Sequence, residues 1–90
     1  MVRARILVSG LVQGVSYRHC TSETATTLGI KGWVRNLPDG KVEILAEGTK
    51  DRVERFISWC HRGSLGARVA GVQVSWEPYE GNCEEFVLAR

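Results

Sequence analysis

The stretch VSGLVQGVSYRHC, residues Val8 to Cys20, runs from a strand through a glycine-bearing loop into a helix. Leading into it, Val2, Ala4, Ile6 and Val8 alternate with Arg3, Arg5, Leu7 and Ser9, the two-residue period of a β-strand. Gly10 and Gly14 supply positive-φ freedom in the loop, and helical spacing begins near Tyr17, which puts Arg18 in a first turn. A cation there is locally unfavourable, because aligned peptide dipoles leave partial positive charge at a helix N-terminus. An anion seated between Arg18 and the free N–H groups of that turn reverses the sign. Read alone, Arg18 is a solvated surface arginine; read with the glycine loop, it completes a cradle for a phosphate-sized anion.

Downstream, Tyr17, Cys20, Thr21, Thr24 and Leu28 keep helical spacing with Ala25 beside them, and Gly29 sits where a left-handed C′ residue ends a helix. Four threonines (Thr21, Thr24, Thr26, Thr27) make this a poor helix by propensity, so packing has to hold it. Lys31 to Asn36 and Lys41 to Glu47 read as strands joined by LPDG, whose Asp39-Gly40 is hairpin-turn chemistry. Thr49 or Asp51 can cap the next helix. There Val53, Phe56, Ile57 and Cys60 fall at i, i+3, i+4, i+7, the strongest helical pattern in the chain, and Arg62-Gly63 ends it. Val72, Val74 and Trp76 alternate in a fourth strand, and Glu85 to Ala89 is a short extended piece. The order βαββαβ predicts an α+β, ferredoxin-like split sandwich: an antiparallel sheet, both helices on one face, and a short C-terminal extra strand.

The chain has 90 residues, 43% hydrophobic and 24% charged, which suits one domain spanning 1–90. A net charge of +2 from scattered basic residues does not by itself imply nucleic acid or an anionic membrane. Cys20, Cys60 and Cys83 are odd in number and lack CxxC spacing, so free thiols in a reducing cytoplasm are expected, with a Cys20–Cys60 bridge as the alternative. No apolar run approaches the ~20 residues of a bilayer span. A monomer acting on a small molecule is the expected state.

Two longer motifs carry a resemblance. ILVSGLVQGVSYR, Ile6 to Arg18, follows the form xVxGxVQGVxFR, and GWVRNLPDGKVE, Gly32 to Glu43, follows GWVxNxxDGxVE. The later GSLGARVAGVQV fits a G-x-x-x-A-x-V region. In this order and at this separation they resemble the acylphosphatases over nearly the whole chain. That resemblance implies hydrolysis of acyl phosphates to a carboxylate and inorganic phosphate, with no cofactor and no metal. Backbone N–H groups of Gln13, Gly14, Val15, Ser16, Tyr17 and Arg18 would bind the phosphoryl group, Arg18 would clamp its oxygens, and the Asn36 side chain would hold the attacking water. Arg18 and Asn36 are the implied catalytic pair.

Plainer readings stand beside these. Asn36 next to Leu37-Pro38-Asp39-Gly40 also suits a turn. Ser16 reads as the N-cap of the first helix, bonding the His19 N–H, and Tyr17 as a core ring whose hydroxyl needs a partner. His19 is expected to face away from Arg18, because successive helix residues point about 100° apart. His61 suits the C-terminal end of its helix. A non-catalytic module binding acyl or carbamoyl phosphate is the alternative function. RNA binding of the kind that shares this element order stacks bases on strand aromatics; GKVEILAEG has none and carries Glu43 and Glu47.

Overall fold

The computed structural model describes residues 1–89, in the order β1 (Val2–Leu11), α1 (Tyr17–Thr27), β2 (Lys31–Asn36), β3 (Val42–Gly48), α2 (Lys50–Arg62), β4 (Arg68–Glu77) and β5 (Phe86–Leu88). One sheet of order β4-β1-β3-β2-β5 holds every strand. β3 pairs antiparallel with both β1 and β2, so those two run parallel to each other on either side of it. Their C-terminal ends therefore emerge at the same end of the sheet, which is where the glycine loop and Asn36 lie. The expected antiparallel sandwich accounts for β1 to β4; β5 adds parallel to β2, making the sheet mixed. No helix among the described residues is long and apolar enough to cross a membrane.

The core forms between the sheet and the two helices. Ala4, Ile6 and Val8 from β1 and Val42, Ile44 and Ala46 from β3 face the helices at register positions opposite one another. Against them α1 sets Tyr17, Thr21 and Ala25, a strict i, i+4 stripe, and α2 sets Val53, Phe56 and Cys60. The threonine-rich α1 thus holds through this stripe, with its C-terminus closed by a Schellman arrangement: Ile30 N–H donates to Ala25 O and Gly29 N–H to Thr26 O, with Gly29 at φ 70°. Of the two capping candidates for α2, Thr49 takes the role, accepting from Arg52 N–H at 3.3 Å. Tyr17 finds its partner in the Cys60 carbonyl at 2.9 Å, which ties the start of α1 to the end of α2. Burial raises the Tyr17 hydroxyl well above the ordinary phenol value and pushes the Cys60 thiol up to about 12. All three cysteines are free.

Two local features differ from the sequence reading. Gly10 belongs to β1, not to the loop. It lies at a register shift against β4, and a Cβ there would meet the Arg68 carbonyl oxygen at 2.2 Å. Ser16 does not cap α1: its backbone is left-handed, φ 58° and ψ 20°, and its side chain makes no cap hydrogen bond. A capping serine needs extended backbone to bring its oxygen under the first turn. The left-handed turn swings it away and leaves the N–H groups of that turn uncapped.

The helix-free face carries the charges. Arg5 and Arg35 flank the Trp33 ring, with guanidinium carbons 5.7 and 5.2 Å from its centroid, and both bond Glu43. Arg3 and Glu47 pair at 3.1 Å and are buried, 8% and 3% exposed. They are covered because the chain, leaving β4 at one edge of the sheet, must cross to add β5 at the other. In that crossing the backbone N–H groups of Glu80 and Gly81 donate to the same Glu47 oxygen that receives Arg3. Burial opposes ionisation of Glu47, but these N–H groups and Arg3 outweigh it and hold the carboxyl below its ordinary value. Glu77, bonded first by Arg5 and then by Arg3, is lowered as well.

A folded-state value below the unfolded one means stability is fully present above the ordinary carboxylate range and is lost as pH falls through the depressed values. The denaturant midpoint is therefore expected to be flat from neutrality to about pH 5 and to drop steadily below about pH 4. In Glu47→Gln that acid slope is expected to be shallower, and an identical slope in the variant would remove Glu47 from the account. Glu47→Ala is expected to destabilise by on the order of 3 kcal/mol in urea unfolding, because it strips a buried guanidinium of its buried carboxylate partner. Ser16→Gly is expected to raise the unfolding free energy from urea titration by about 1 kcal/mol, since glycine adopts the left-handed turn without Cβ strain; a lowered value would mean the serine side chain contributes a contact.

Candidate active site

Between the C-terminal ends of β1 and β2 lies a cleft of about 290 Å³ lined by Val12, Gln13, Gly14, Ser16, Tyr17, Arg18, His19, Asn36 and Leu88. Arg18 and Asn36, 18 positions apart in sequence, thus meet at one cavity as their places in the topology require. Asn36 is the last residue of β2 and is exposed. It shares a face with Val34, so its side chain lies on the helix side of the sheet, beyond the core.

Of the six residues expected to offer N–H groups, Gln13, Gly14, Ser16, Tyr17 and Arg18 reach the cleft and Val15 does not. Residues 13–16 lie outside any helix or strand, and among the described residues none of their N–H groups donates to another backbone group. Those of Tyr17, Arg18 and His19 belong to the first turn of α1, where no preceding turn exists to accept them. Gly14 has φ 76° and nothing within 4 Å of a Cβ position, so its side of the loop is open space. Tyr17 brings only its backbone, because its side chain is turned into the core toward Cys60. The result is a run of main-chain donors curving round one end of a helix, the arrangement that stabilises an oxyanion.

Three contacts fix the walls relative to one another. The Gln13 side-chain amide donates to both Leu37 O and Lys41 O at 2.8 Å, clamping the glycine loop to the turn that follows Asn36. That turn is closed by Leu37 N–H to Lys41 O at 2.8 Å and Gly40 N–H to Leu37 O at 3.2 Å. Arg18 Nη1 donates to the Ala89 carbonyl at 3.0 Å, so the tail of the extra strand holds the guanidinium. Guanidinium carries five N–H donors in a fixed plane, and this contact uses one of them. β5 also supplies Leu88, 47% exposed, as an apolar part of the rim.

His19 is also among the residues at the cleft. Its imidazole is engaged one turn along α1, with Nε2 3.2 Å from Glu23 Oε1. Neither Leu88 nor the Ala89 carbonyl was legible in advance, since their position depends on β5 crossing to the far edge. The side-chain role of Gln13 was hidden as well: its amide had been read only for its backbone. A signal existed in its polarity, since a glutamine between Val12 and Gly14 needs partners for its donors.

A family model described as Acylphosphatase matches residues 4–88. The acylphosphatase of Anaeromyxobacter sp. (strain Fw109-5) is 54% identical over 86 residues, covering 96% of this chain and 92% of that protein. The acylphosphatase of Aeropyrum pernix is 55% identical over 89 residues, covering 98% and 88%. Among solved structures, acylphosphatase from Bacillus subtilis superposes with a TM-score of 0.97 at 33% identity, over all of both chains. A sandwich of this topology, both motifs at the mouth of one cleft and matches across nearly its full length place the chain in the acylphosphatase family.

Proposed function

We propose that this protein hydrolyses the carboxyl–phosphate bond of acyl phosphates in the cleft between the anion loop and Asn36. The observation that carries the reading is the convergence of Arg18, Asn36 and unpaired main-chain donors on one cavity. The phosphoryl oxygens sit against the N–H groups of residues 13–18, with the Arg18 guanidinium as the counter-charge. Asn36 orients a water by hydrogen bonding for in-line attack. It is not a base, since a carboxamide has no useful basicity near neutrality.

The water oxygen bonds to phosphorus as the bond from phosphorus to the acyl oxygen breaks, and the water's proton passes to a phosphoryl oxygen of the substrate. The products are a carboxylate and dihydrogen phosphate, which gives up a proton to solvent on release. The leaving carboxylate has a conjugate acid of pKa about 4, so it departs unprotonated and needs no general acid. Catalysis then rests on positioning and on stabilising the charge spread over the equatorial oxygens of a loose transition state. Arg18 and the N–H dipoles supply that stabilisation without a metal ion. Recognition of phosphoryl and carbonyl groups alone predicts broad tolerance of the acyl part.

Release of inorganic phosphate from acetyl phosphate tests the reading directly, and turnover is expected to persist with chelator present. Arg18→Ala and Asn36→Ala are each expected to lower kcat/KM by about 100-fold or more with far-UV circular dichroism and urea midpoints near wild type. Near wild-type turnover in both variants would overturn the assignments. Phosphate binding by the wild-type protein without any turnover would favour a binding module.

A further inference from the structure

The anion loop contains one strained element that the proposed mechanism uses but does not explain. Ser16 is the only described non-glycine residue with positive φ, 58°, and such a conformation persists only where its surroundings impose it. Its own side chain does not, since it makes no cap bond. The restraint comes from 49 residues away: Ser64 Oγ donates to the Val15 carbonyl at 3.1 Å.

Val15 C=O and Ser16 N–H belong to the same peptide unit. In a planar trans peptide these two groups point in opposite directions. Holding the carbonyl on the outer side of the loop therefore turns the N–H to the inner side. Val15 is the residue of the loop that stays off the cleft wall, and Ser16 is on it. We propose that Ser64, on the connection between α2 and β4, is a positioning residue for the anion cradle: its hydroxyl holds the Val15 carbonyl and so aims the Ser16 N–H at the phosphoryl group. The inference rests on reading the cleft as a phosphoryl site.

The connection is built to hold Ser64 in place. Gly63 closes α2 through its N–H to Trp59 O, and a Cβ on it would lie 2.9 Å from the Tyr17 ring, so the chain here runs tight against the first residue of α1. The Ser64 carbonyl accepts from Ala67 N–H at 3.0 Å, closing a turn that leaves the hydroxyl free to reach across. At 3.1 Å the bond is long for a hydroxyl donor. Its loss is thus expected to alter the aim of one donor and to leave the fold in place.

The test uses inorganic phosphate as probe and acetyl phosphate as substrate. In the wild-type protein, titration with phosphate is expected to move the Ser16 amide resonance strongly downfield. Ser64→Ala is expected to weaken phosphate binding and raise KM by about fivefold, the weight of one ordinary hydrogen bond, with an unchanged thermal midpoint. Ser64→Thr, which keeps the hydroxyl, is expected to restore both. A Ser16 amide unmoved at saturating phosphate overturns the proposal, whether or not the alanine variant folds. A lowered midpoint with unchanged phosphate affinity also overturns it, marking Ser64 as structural only. If wild-type protein binds phosphate with the Ser16 signature but turns over no acetyl phosphate, the hydrolase reading fails and the positioning role is supported.

Discussion

The chain must cross its own sheet. β4 lies at one edge and β5 at the other, and the connection between them passes over a face that bears charges instead of a helix layer. A bare crossing would carry backbone N–H groups over a charged surface with no acceptor. Glu47 supplies that acceptor: one carboxylate oxygen receives the Arg3 guanidinium and the N–H groups of Glu80 and Gly81. Desolvating such a carboxylate is unfavourable, and only the convergence of several charged and dipolar partners offsets it. With the crossing secured, β5 lies beside β2, and its tail presents the carbonyl that orients Arg18. An ion pair on the far side of the sheet from the helices thereby bears on the geometry of the cleft.

The cleft itself is assembled from segments distant in sequence. The glycine loop follows β1, Asn36 ends β2, the Arg18 anchor lies beyond β5 and Ser64 follows α2. Each is joined to its neighbour by a specific bond rather than by bulk packing, so the pieces are fixed before a ligand arrives. Preorganisation of this kind suits the proposed hydrolysis, in which the protein acts through position and charge.

Local periodicity carried most of the fold. The alternation in β1, the i, i+4 stripe of α1 and the heptad-like face of α2 are properties of neighbouring residues, and each element formed where its spacing placed it. The two motifs likewise carry Arg18 and Asn36, and the fold brings both residues to one cleft. What escaped was whatever depends on a partner far away. The parallel addition of β5, the Ala89 contact to Arg18 and the place of His19 on the rim follow from how elements assemble. Ser16 was misread for a subtler reason: a serine before a helix is a cap only when its backbone is extended, and φ is not written in the residue type.

The thiol of Cys60 lies beneath α2, at the carbonyl end that receives Tyr17, fully sheltered and with its ionisation pushed up to about 12. Thiolate is the reactive form toward alkylating reagents, so the folded molecule offers them almost none at this position. Labelling of Cys60 therefore requires the helices to part from the sheet. In this chain the sulfur acts as a built-in clock for the rarest openings of the helix layer, read out by alkylation with no engineered residue.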